Sequence, residues 1–322
     1  MKPLAIAPAA ENEAPPAGTR PPATREAVVA QWPRRRSSKW AITFRLLFHS
    51  PVGATGAIIT ALFLVLCAVG PFLAPYDPFN VDMSSVSLPP SLAHPFGTDL
   101  LGRDILSRLM TGAYISLASG LIIVGVGMTI GVAIGALSGY YSRTVGPWLM
   151  RLPDIFLAFP TLVLAIALAV TFGPSLTNAL LAMSLVYWPS YARLMYGETL
   201  AITQLDYVRF ARTLNQSDLK IIRTHVLPNA ISPVIVQASL DFGDAILLAA
   251  VLGFLGLGAQ PPSPEWGAMV AQGRNYVFNY WWMSIIPGTT IFLVTLGFNF
   301  LGDGIRDALD PRIRRESAAV HG

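Results

Sequence analysis

The chain has 322 residues, of which 53% are hydrophobic and only 12% are charged. Soluble domains carry roughly 25% charged residues, so most of this chain is expected to lie in lipid rather than in water. The net charge of +4 is small, and the basic residues are not gathered on one folded surface, so the charge does not indicate nucleic-acid binding. The single cysteine, Cys67, lies inside an apolar run and has no second cysteine with which to form a disulfide.

Six apolar runs are each long enough to cross about 30 Å of hydrocarbon as a helix. They predict an all-α integral membrane protein with about six transmembrane helices. Prolines within or beside these runs are expected to kink the helices, because proline lacks the amide hydrogen that a helix uses. The runs cover residues 53–74, 116–137, 148–170, 176–196, 231–255 and 283–301.

Composition divides the chain into four regions. The first, residues 1–45, is basic and rich in Pro and Ala, has no helical periodicity and is expected to be a disordered cytoplasmic tail. Residues 46–111 comprise the first transmembrane helix and a long external loop. Residues 112–312 form a core of five helices with a cytoplasmic loop at 198–229, and residues 313–322 form a second cytoplasmic tail.

The loops on one side of the six spans carry most of the Arg and Lys residues. The opposite side holds Arg103, Arg108 and Arg274 only. The positive-inside rule therefore predicts a multi-pass protein of the cell (inner) membrane with both termini in the cytoplasm. The basic residues on the cytoplasmic side are Lys2, Arg20, Arg25, Arg34, Arg35, Arg36, Lys39, Arg45, Arg143, Arg209, Arg212, Lys220, Arg223, Arg306, Arg312, Arg314 and Arg315.

The long cytoplasmic loop has an amphipathic pattern. From Gln204 onward, apolar residues recur with helical spacing, break at Asn215, resume and stop at Pro228, which predicts two short helices joined by a turn. An amphipathic helix outside the bilayer either lies on the lipid surface or docks into a groove of a partner. Asp206 and Asp218, mixed among the bases, argue against a purely lipid-facing role.

Four segments of the chain carry recognisable patterns. They read D-Y-V-R-F-A-R-T-L-N-Q-S-D-L-K-I-I-R-T-H-V-L-P-N, H-P-F-G-T-D-L-L-G-R-D-I-L-S-R, F-L-G-L-G-A-Q-P-P-S-P-E-W-G and G-D-G-I-R-D-A-L-D-P-R. The first resembles the coupling loop of ATP-binding-cassette (ABC) importer permeases, in the version found in the dipeptide/oligopeptide, binding-protein-dependent family. The others are similar to that family's first external loop, its exit from the fifth span and its C-terminal end.

The resemblance implies the type I ABC importer permease fold and, within the family, the C-type permease with a single long first external loop. It also implies that the loop at 198–229 couples the permease to an ATPase. Phe210, Thr213 and Asn215 depart from the family pattern, and Asn tolerates the left-handed backbone that a turn between helices needs. The candidate coupling residues are Asp206, Tyr207, Val208, Arg209, Ala211, Arg212, Leu214, Asn215, His225, Leu227 and Pro228.

Members of this family work with other chains, and the resemblance implies the same partners here. They are a paralogous permease chain that completes a heterodimer, two ATPase subunits on the coupling loop and an extracytoplasmic solute-binding protein, besides the lipid bilayer. The sequence lacks the phosphate-binding pattern G-x-x-x-x-G-K-[ST]. ATP and Mg are therefore expected on the partner ATPases, with no cofactor, metal or catalytic residue on this chain, which is not expected to be an enzyme.

The expected function is ATP-driven import of dipeptides, oligopeptides or similar small solutes. Nickel, glutathione or another small ligand is an alternative cargo within the same family. A secondary transporter driven by an ion gradient is a more distant alternative, and would show an inverted repeat with helices broken near the membrane midplane.

Glycines recur every fourth residue along the second span. They predict a smooth face on which another helix can approach closely, and static packing is favoured over a sliding surface. These glycines are Gly127, Gly131, Gly135 and Gly139.

Three polar residues of the fifth span, Gln237, Asp241 and Asp244, share one helix face. At 1.5 Å per residue, Asp241 lies roughly 18 Å from the cytoplasmic end of the span, near mid-membrane. Placing a carboxylate at this depth in the bilayer costs free energy, so such residues usually face a cavity or a partner. These residues are therefore a candidate translocation path that meets a cationic part of the cargo, or they pair structurally with a donor of the partner chain.

Other charged residues suggest lesser roles. Arg151 and Asp154 are expected to pair within one helix at i, i+3 spacing. His94 with Asp99 offers too few ligands for a metal site. A mildly acidic external face would favour docking of a binding protein, and its residues are Asp77, Asp82, Asp99, Asp104 and Glu265.

Overall fold

The computed structural model describes Phe48 and residues 50–309, and in this part of the chain the regular structure consists of helices and one isolated β-bridge between Thr98 and Asp104. The two predicted tails therefore lie outside the described residues. The α-helices are α1 (Pro51–Leu73), α2 (Ile105–Tyr140), α3 (Gly146–Leu149), α4 (Arg151–Leu157), α5 (Thr161–Phe172), α6 (Leu176–Thr203), α7 (Asp206–Thr213), α8 (Asp218–Ile221), α9 (Leu227–Phe254), α10 (Trp266–Gly273) and α11 (Trp282–Leu309).

The predicted spans are all found as helices, although they differ in how well they suit a bilayer. Four long helices within residues 50–309 are apolar enough to cross a membrane, and a bent pair formed by Gly146–Leu157 and Thr161–Phe172 provides a fifth crossing if it counts as one span. Helix α6 has 28 residues, but Trp188-Pro189-Ser190 and Arg193 interrupt its apolar run. The all-α membrane fold is confirmed, whereas α6, the fourth predicted span, is not among the helices apolar enough to cross a membrane.

The third predicted span is broken into separate helices, as its prolines led us to expect. The segment Gly146–Leu157, which comprises α3 and α4, meets α5 at an angle of 88°, and residues 158–160 before α5 are not helical. Pro160 explains the break, because its ring disfavours helical backbone at Phe159 and it has no amide hydrogen to donate. The corner turns α3 and α4 away from the axis of α5.

Two other element boundaries differ from the prediction. Helix α2 begins at Ile105, because the Asp104 carboxylate caps it by accepting a hydrogen bond of 2.8 Å from the Ser107 amide. The loop between α1 and α2 therefore ends at Asp104, before the predicted Thr111. Pro228 opens α9 rather than closing the preceding segment, since a first-turn proline gives up no helical hydrogen bond.

The glycine face of α2 packs against α6, as predicted. A Cβ atom added at Gly131 would lie 2.5 Å from the Trp188 carbonyl oxygen, and one added at Gly135 would lie 2.4 Å from the Ala192 carbonyl oxygen. Such distances are possible only where two helix backbones approach without intervening side chains. Helices α2 and α6 therefore form a tightly packed pair.

The loop between α1 and α2 is fixed by polar contacts, and the expected acidic external face is largely absent. Asp99, Asp104 and Glu265 are buried. Asp99 forms a salt bridge of 2.7 Å with Arg103, and Asp104 accepts a contact of 3.0 Å from His94 Nδ1. Because these carboxylates are buried and contact groups of the same chain, they present little negative charge to a binding protein.

Glu265 caps α10 and gives a prediction for stability. Its carboxylate accepts hydrogen bonds of 2.8 Å from the amides of Gly267 and Ala268, but burial raises its pKa from 4.5 to about 7. The folded chain holds this proton more tightly than the unfolded chain, so the free energy of unfolding falls by roughly 2–3 kcal/mol as pH rises from about 4.5 to about 7. Thermal melting should show that Glu265→Gln loses this pH dependence, and an identical profile in both proteins would contradict the assignment.

Candidate functional site

The segment between α6 and α9, residues 204–226, is hereafter the connector. It consists of α7, a turn at residues 214–217, α8 and a π-helical turn over Ile222–Val226. Asn215 has a φ of +56°, the left-handed conformation expected for it. The chain reverses there through hydrogen bonds of 3.0 Å from the Asn215 amide to the Arg212 carbonyl and 3.3 Å from the Gln216 amide to the Ala211 carbonyl.

The connector has one buried face. Val208 and Ala211 of α7 are buried, as are Ile221, Ile222 and Val226 after the turn. They belong to the same hydrophobic cluster as the buried residues of α6 and α9. The apolar residues that fix the connector to the helices are thus those that the helical spacing placed on one side.

Next to the buried face, α7 has a second face that is apolar yet exposed. Tyr207, Phe210 and Leu214 lie on one side of the helix at i, i+3 and i+7, and Phe210 and Leu214 are 68% and 66% exposed. We call these three residues the apolar face. Asp206 begins α7 and is also exposed. An apolar face of this kind beside charged residues is typical of a helix that docks into a partner.

Hydrogen bonds attach the connector to the end of α2. Asp218 Oδ1 accepts a hydrogen bond of 2.7 Å from the Tyr140 hydroxyl, and Asp218 Oδ2 accepts one of 2.9 Å from the Tyr141 hydroxyl. The hydrogen bond to Asp218 raises the pKa of the Tyr141 hydroxyl above its ordinary value. The Arg212 guanidinium lies 4.6 Å from the centre of the Tyr140 ring, within the range of a cation–π interaction.

The predicted residues at the end of the connector also come together. His225 Nε2 lies 3.4 Å from Gln216 Oε1, and the His225 ring meets the Tyr207 ring edge-on at 6.2 Å. The Asn229 side-chain amide donates to the His225 carbonyl at 2.7 Å and to the Tyr207 hydroxyl at 3.3 Å. Arg209 donates to Gln204 at 2.8 Å, whereas Leu227 and Pro228 form the first turn of α9.

Gln237, Asp241 and Asp244 line one cavity of about 430 Å³, which we call the acidic recess. The Gln237 amide donates a hydrogen bond of 2.8 Å to Asp241 Oδ1. Within residues 50–309, neither carboxylate has a salt-bridge partner. The other lining residues are Phe156, Leu157, Phe159, Thr161, Val186, Tyr187, Ser190, Leu247 and Leu248.

Sequence reasoning found one wall of the recess and missed the other. Tyr187 and Ser190 of α6 face the two carboxylates across the cavity; the interruption of an apolar run by polar residues was the available signal. The expected pair of Arg151 with Asp154 was wrong, because Asp154 forms its salt bridge with Arg193 of α6. The bend before α5 makes this possible, since it brings α4 against α6.

The described residues contain no group of three or more His, Cys, Asp or Glu placed to hold a metal ion. His94, considered above with Asp99, instead contacts Asp104.

Two family profiles match the chain. One, described as the binding-protein-dependent transport system inner membrane component, matches residues 131–315. This chain belongs to that family. The other, described as the N-terminal transmembrane domain of oligopeptide transport permease C, matches residues 38–90. Together they support the C-type permease that the first external loop indicated.

Curated relatives extend over nearly the whole permease. A probable D,D-dipeptide transport system permease protein of Escherichia coli is 49% identical, covering 83% of this chain and 90% of the relative. A di/tripeptide transport system permease protein of Pseudomonas aeruginosa is 44% identical, covering 81% and 89%. A glutathione transport system permease protein of Pectobacterium atrosepticum is 40% identical, covering 90% and 98%.

A solved structure supports the type I importer fold. The inward-facing MetNI methionine ABC transporter matches with a TM-score of 0.51 at 20% sequence identity. The match covers 63% of this chain and 97% of the other. At this identity the likeness concerns the fold, and the permease fold expected from the sequence is confirmed.

Proposed function

We propose that this permease forms one half of the membrane pathway of an ATP-driven importer for dipeptides or oligopeptides. The observation that supports this proposal is the 49% and 44% sequence identity to permeases named for dipeptide and di/tripeptide transport, over most of the length of each relative. Glutathione is a second candidate cargo, since a permease named for it is 40% identical over 98% of its length. Glutathione is itself a small peptide, so both cargoes present an amino group and carboxylates.

The partners follow from the family and from the connector. A paralogous permease would complete the pathway as a heterodimer, and an extracytoplasmic binding protein would deliver the solute. Two ATPase subunits, which hold ATP and Mg, would dock on the apolar face of α7. This assignment places the connector and both termini in the cytoplasm, and it gives the exposed Phe210 and Leu214 side chains a groove to fill.

The acidic recess is proposed as part of the translocation path. Its two carboxylates have no cationic partner within residues 50–309, and the cavity is large enough for a few side chains. An ammonium group of the cargo would supply the missing positive charge. A donor of the partner chain could supply that charge instead, which is the alternative of structural pairing.

Co-purification of a tagged chain after gentle detergent extraction tests the assembly. We expect mass spectrometry to recover a second permease and one or two ATPases with a phosphate-binding loop. A chain that purifies alone, and that moves solute in vesicles without ATP, would overturn the proposal in favour of a secondary transporter.

Replacing both recess carboxylates tests the path. We expect Asp241→Asn with Asp244→Asn to lower ATP-driven uptake of a dipeptide about tenfold, because a hydrogen bond to a charged group contributes about 1.5–3 kcal/mol. Asp303→Asn, which changes an exposed carboxylate of α11, serves as the matched control. Unchanged uptake in the double variant would remove the path role, and loss of the partner permease on purification would indicate structural pairing instead.

A further inference from the structure

We infer that Asp218, Tyr140 and Tyr141 form a tie through which ATPase-driven movement of the connector reaches α2. Asp218 is assigned as a positioning residue that acts through the two tyrosines. The inference rests on the proposed function, because it presupposes an ATPase that moves the connector. It concerns a different part of the connector from the apolar face on which that ATPase would dock.

The geometry of the tie uses both oxygens of one carboxylate. Asp218 Oδ1 accepts the hydrogen bond from Tyr140 (2.7 Å), and Oδ2 accepts the one from Tyr141 (2.9 Å). A carboxylate held on both oxygens can neither rotate nor slide without breaking a charge-assisted hydrogen bond. Arg212 of α7 adds a third contact, because its guanidinium lies over the Tyr140 ring. Residues of both connector helices therefore meet the same end of α2.

The position of the tie in the chain explains why it is needed. The connector is covalently continuous with α6 on one side and α9 on the other, so both helices follow its movement directly. Helix α2 is 78 residues away in the chain at the Tyr140–Asp218 contact. The two hydrogen bonds that Asp218 accepts therefore join the connector directly to α2 and its capping residue.

The consequence reaches the acidic recess. Helix α2 packs backbone to backbone on α6 along its glycine face, and α6 carries Tyr187 and Ser190 on the recess wall. With the tie closed, α2 and α6 move with the connector as one body. With the tie broken, the connector moves α6 directly but α2 is no longer moved with it. Because α2 is packed on α6, it then restrains α6, and the recess wall moves less.

The test measures coupling rather than assembly. The full transporter, reconstituted in liposomes, would be compared as wild type, Asp218→Asn, Tyr140→Phe with Tyr141→Phe, and the three changes combined. We expect solute moved per ATP hydrolysed to fall about fivefold or more, while ATP hydrolysis and co-purification of the ATPases stay near wild type. The combined variant should be no worse than the tyrosine pair, because the changes remove the same contact. Tyr114→Phe, on an exposed tyrosine of α2, is the matched control.

Several results would overturn the tie. An unchanged ratio of transport to hydrolysis would do so, as would effects that add in the combined variant. A parallel loss of assembly, hydrolysis and transport at constant ratio would assign Asp218 a purely structural role. Absence of ATP-driven transport in the wild type would instead overturn the proposed function, and the tie with it.

A second measurement does not depend on weakening the fold. Tyr141→Cys and Asp218→Cys, placed in a Cys67→Ser chain, can be joined by a short bifunctional maleimide. Because the tie is expected to stay closed throughout the transport cycle, the cross-linked transporter should recover the coupling ratio that the unlinked double-cysteine chain has lost. Failure of the cross-link to restore that ratio would contradict the inference.

Discussion

Phe210→Asp is expected to reduce ATP-driven uptake about 30-fold or more while the permease still reaches the membrane. Phe210 is 68% exposed and projects from α7 beside Leu214, so it contributes little to the fold of this chain. A buried aromatic anchor at an interface commonly contributes 2 kcal/mol or more on truncation, and a charge placed there also costs desolvation. Uptake into proteoliposomes and retention of the ATPases on a tagged permease measure the effect.

Phe210→Leu is the matched control for this prediction. It shortens the side chain but keeps it apolar, so docking should weaken only a few-fold. Phe210 is also one of the positions that departs from the family pattern, and Leu tests whether the aromatic ring sets the affinity for a particular ATPase. If Phe210→Asp retained its ATPases and its uptake, the apolar face would not be the docking surface.

The connector shows how far a sequence pattern reaches. The helical spacing of apolar residues and the break at Asn215 predicted two helices and a left-handed turn, and both are found. Local conformation of this kind depends on neighbours in the chain, which a sequence displays. The bonds of Asp218 to Tyr140 and Tyr141 were not predictable, because they join residues about 78 positions apart whose meeting depends on the tertiary fold.

The bend before α5 was signalled but not quantified. Pro160 stands in the predicted third span, and a proline was expected to kink it. The 88° angle depends on how α4 settles against α6, where Asp154 meets Arg193. Spacing along one helix suggested Arg151 as the partner, whereas packing between helices supplied another.

Buried carboxylates were the least predictable feature. Asp104 and Glu265 looked like solvated loop residues, yet each caps a helix by accepting backbone amide hydrogens. The signal was present in each case, since an acidic residue stood directly before a helical pattern. Their burial was not visible, because it depends on the tertiary fold. Asp104 is covered where its loop folds onto the start of α11 and the Trp282 indole donates a hydrogen bond of 3.2 Å to the Thr98 carbonyl, and Glu265 lies against Gly253 of α9.

The acidic recess divides in the same way. Gln237, Asp241 and Asp244 were placed on one face by their i, i+4 and i+7 spacing, and all three line the cavity. The facing wall, with Tyr187 and Ser190, depends on which face of α6 turns inward. The glycines of α2 set that orientation, because the backbone of α6 can approach α2 closely only on the side of α2 that has no Cβ atoms.

Gly135→Ala is therefore expected to lower the free energy of unfolding by about 1–3 kcal/mol, the usual cost of overpacking a tight interface. The new Cβ would lie 2.4 Å from the Ala192 carbonyl oxygen and 2.8 Å from Met195 Cβ. A backbone carbonyl inside a helix cannot turn aside, so α2 and α6 must separate along their whole contact. Thermal melting of the purified chain in detergent measures the loss.

Gly125→Ala makes the same change on the same helix where nothing lies within 4 Å of the added atom. Because Ala favours a helix over Gly by up to about 1 kcal/mol, this control should melt at or above the wild-type temperature. Opposite shifts for the two substitutions would establish that the close contact, and not helix propensity, decides stability. Equal shifts would show that the α2–α6 pair tolerates an extra methyl group, and the rigid transmission assigned to it would fail.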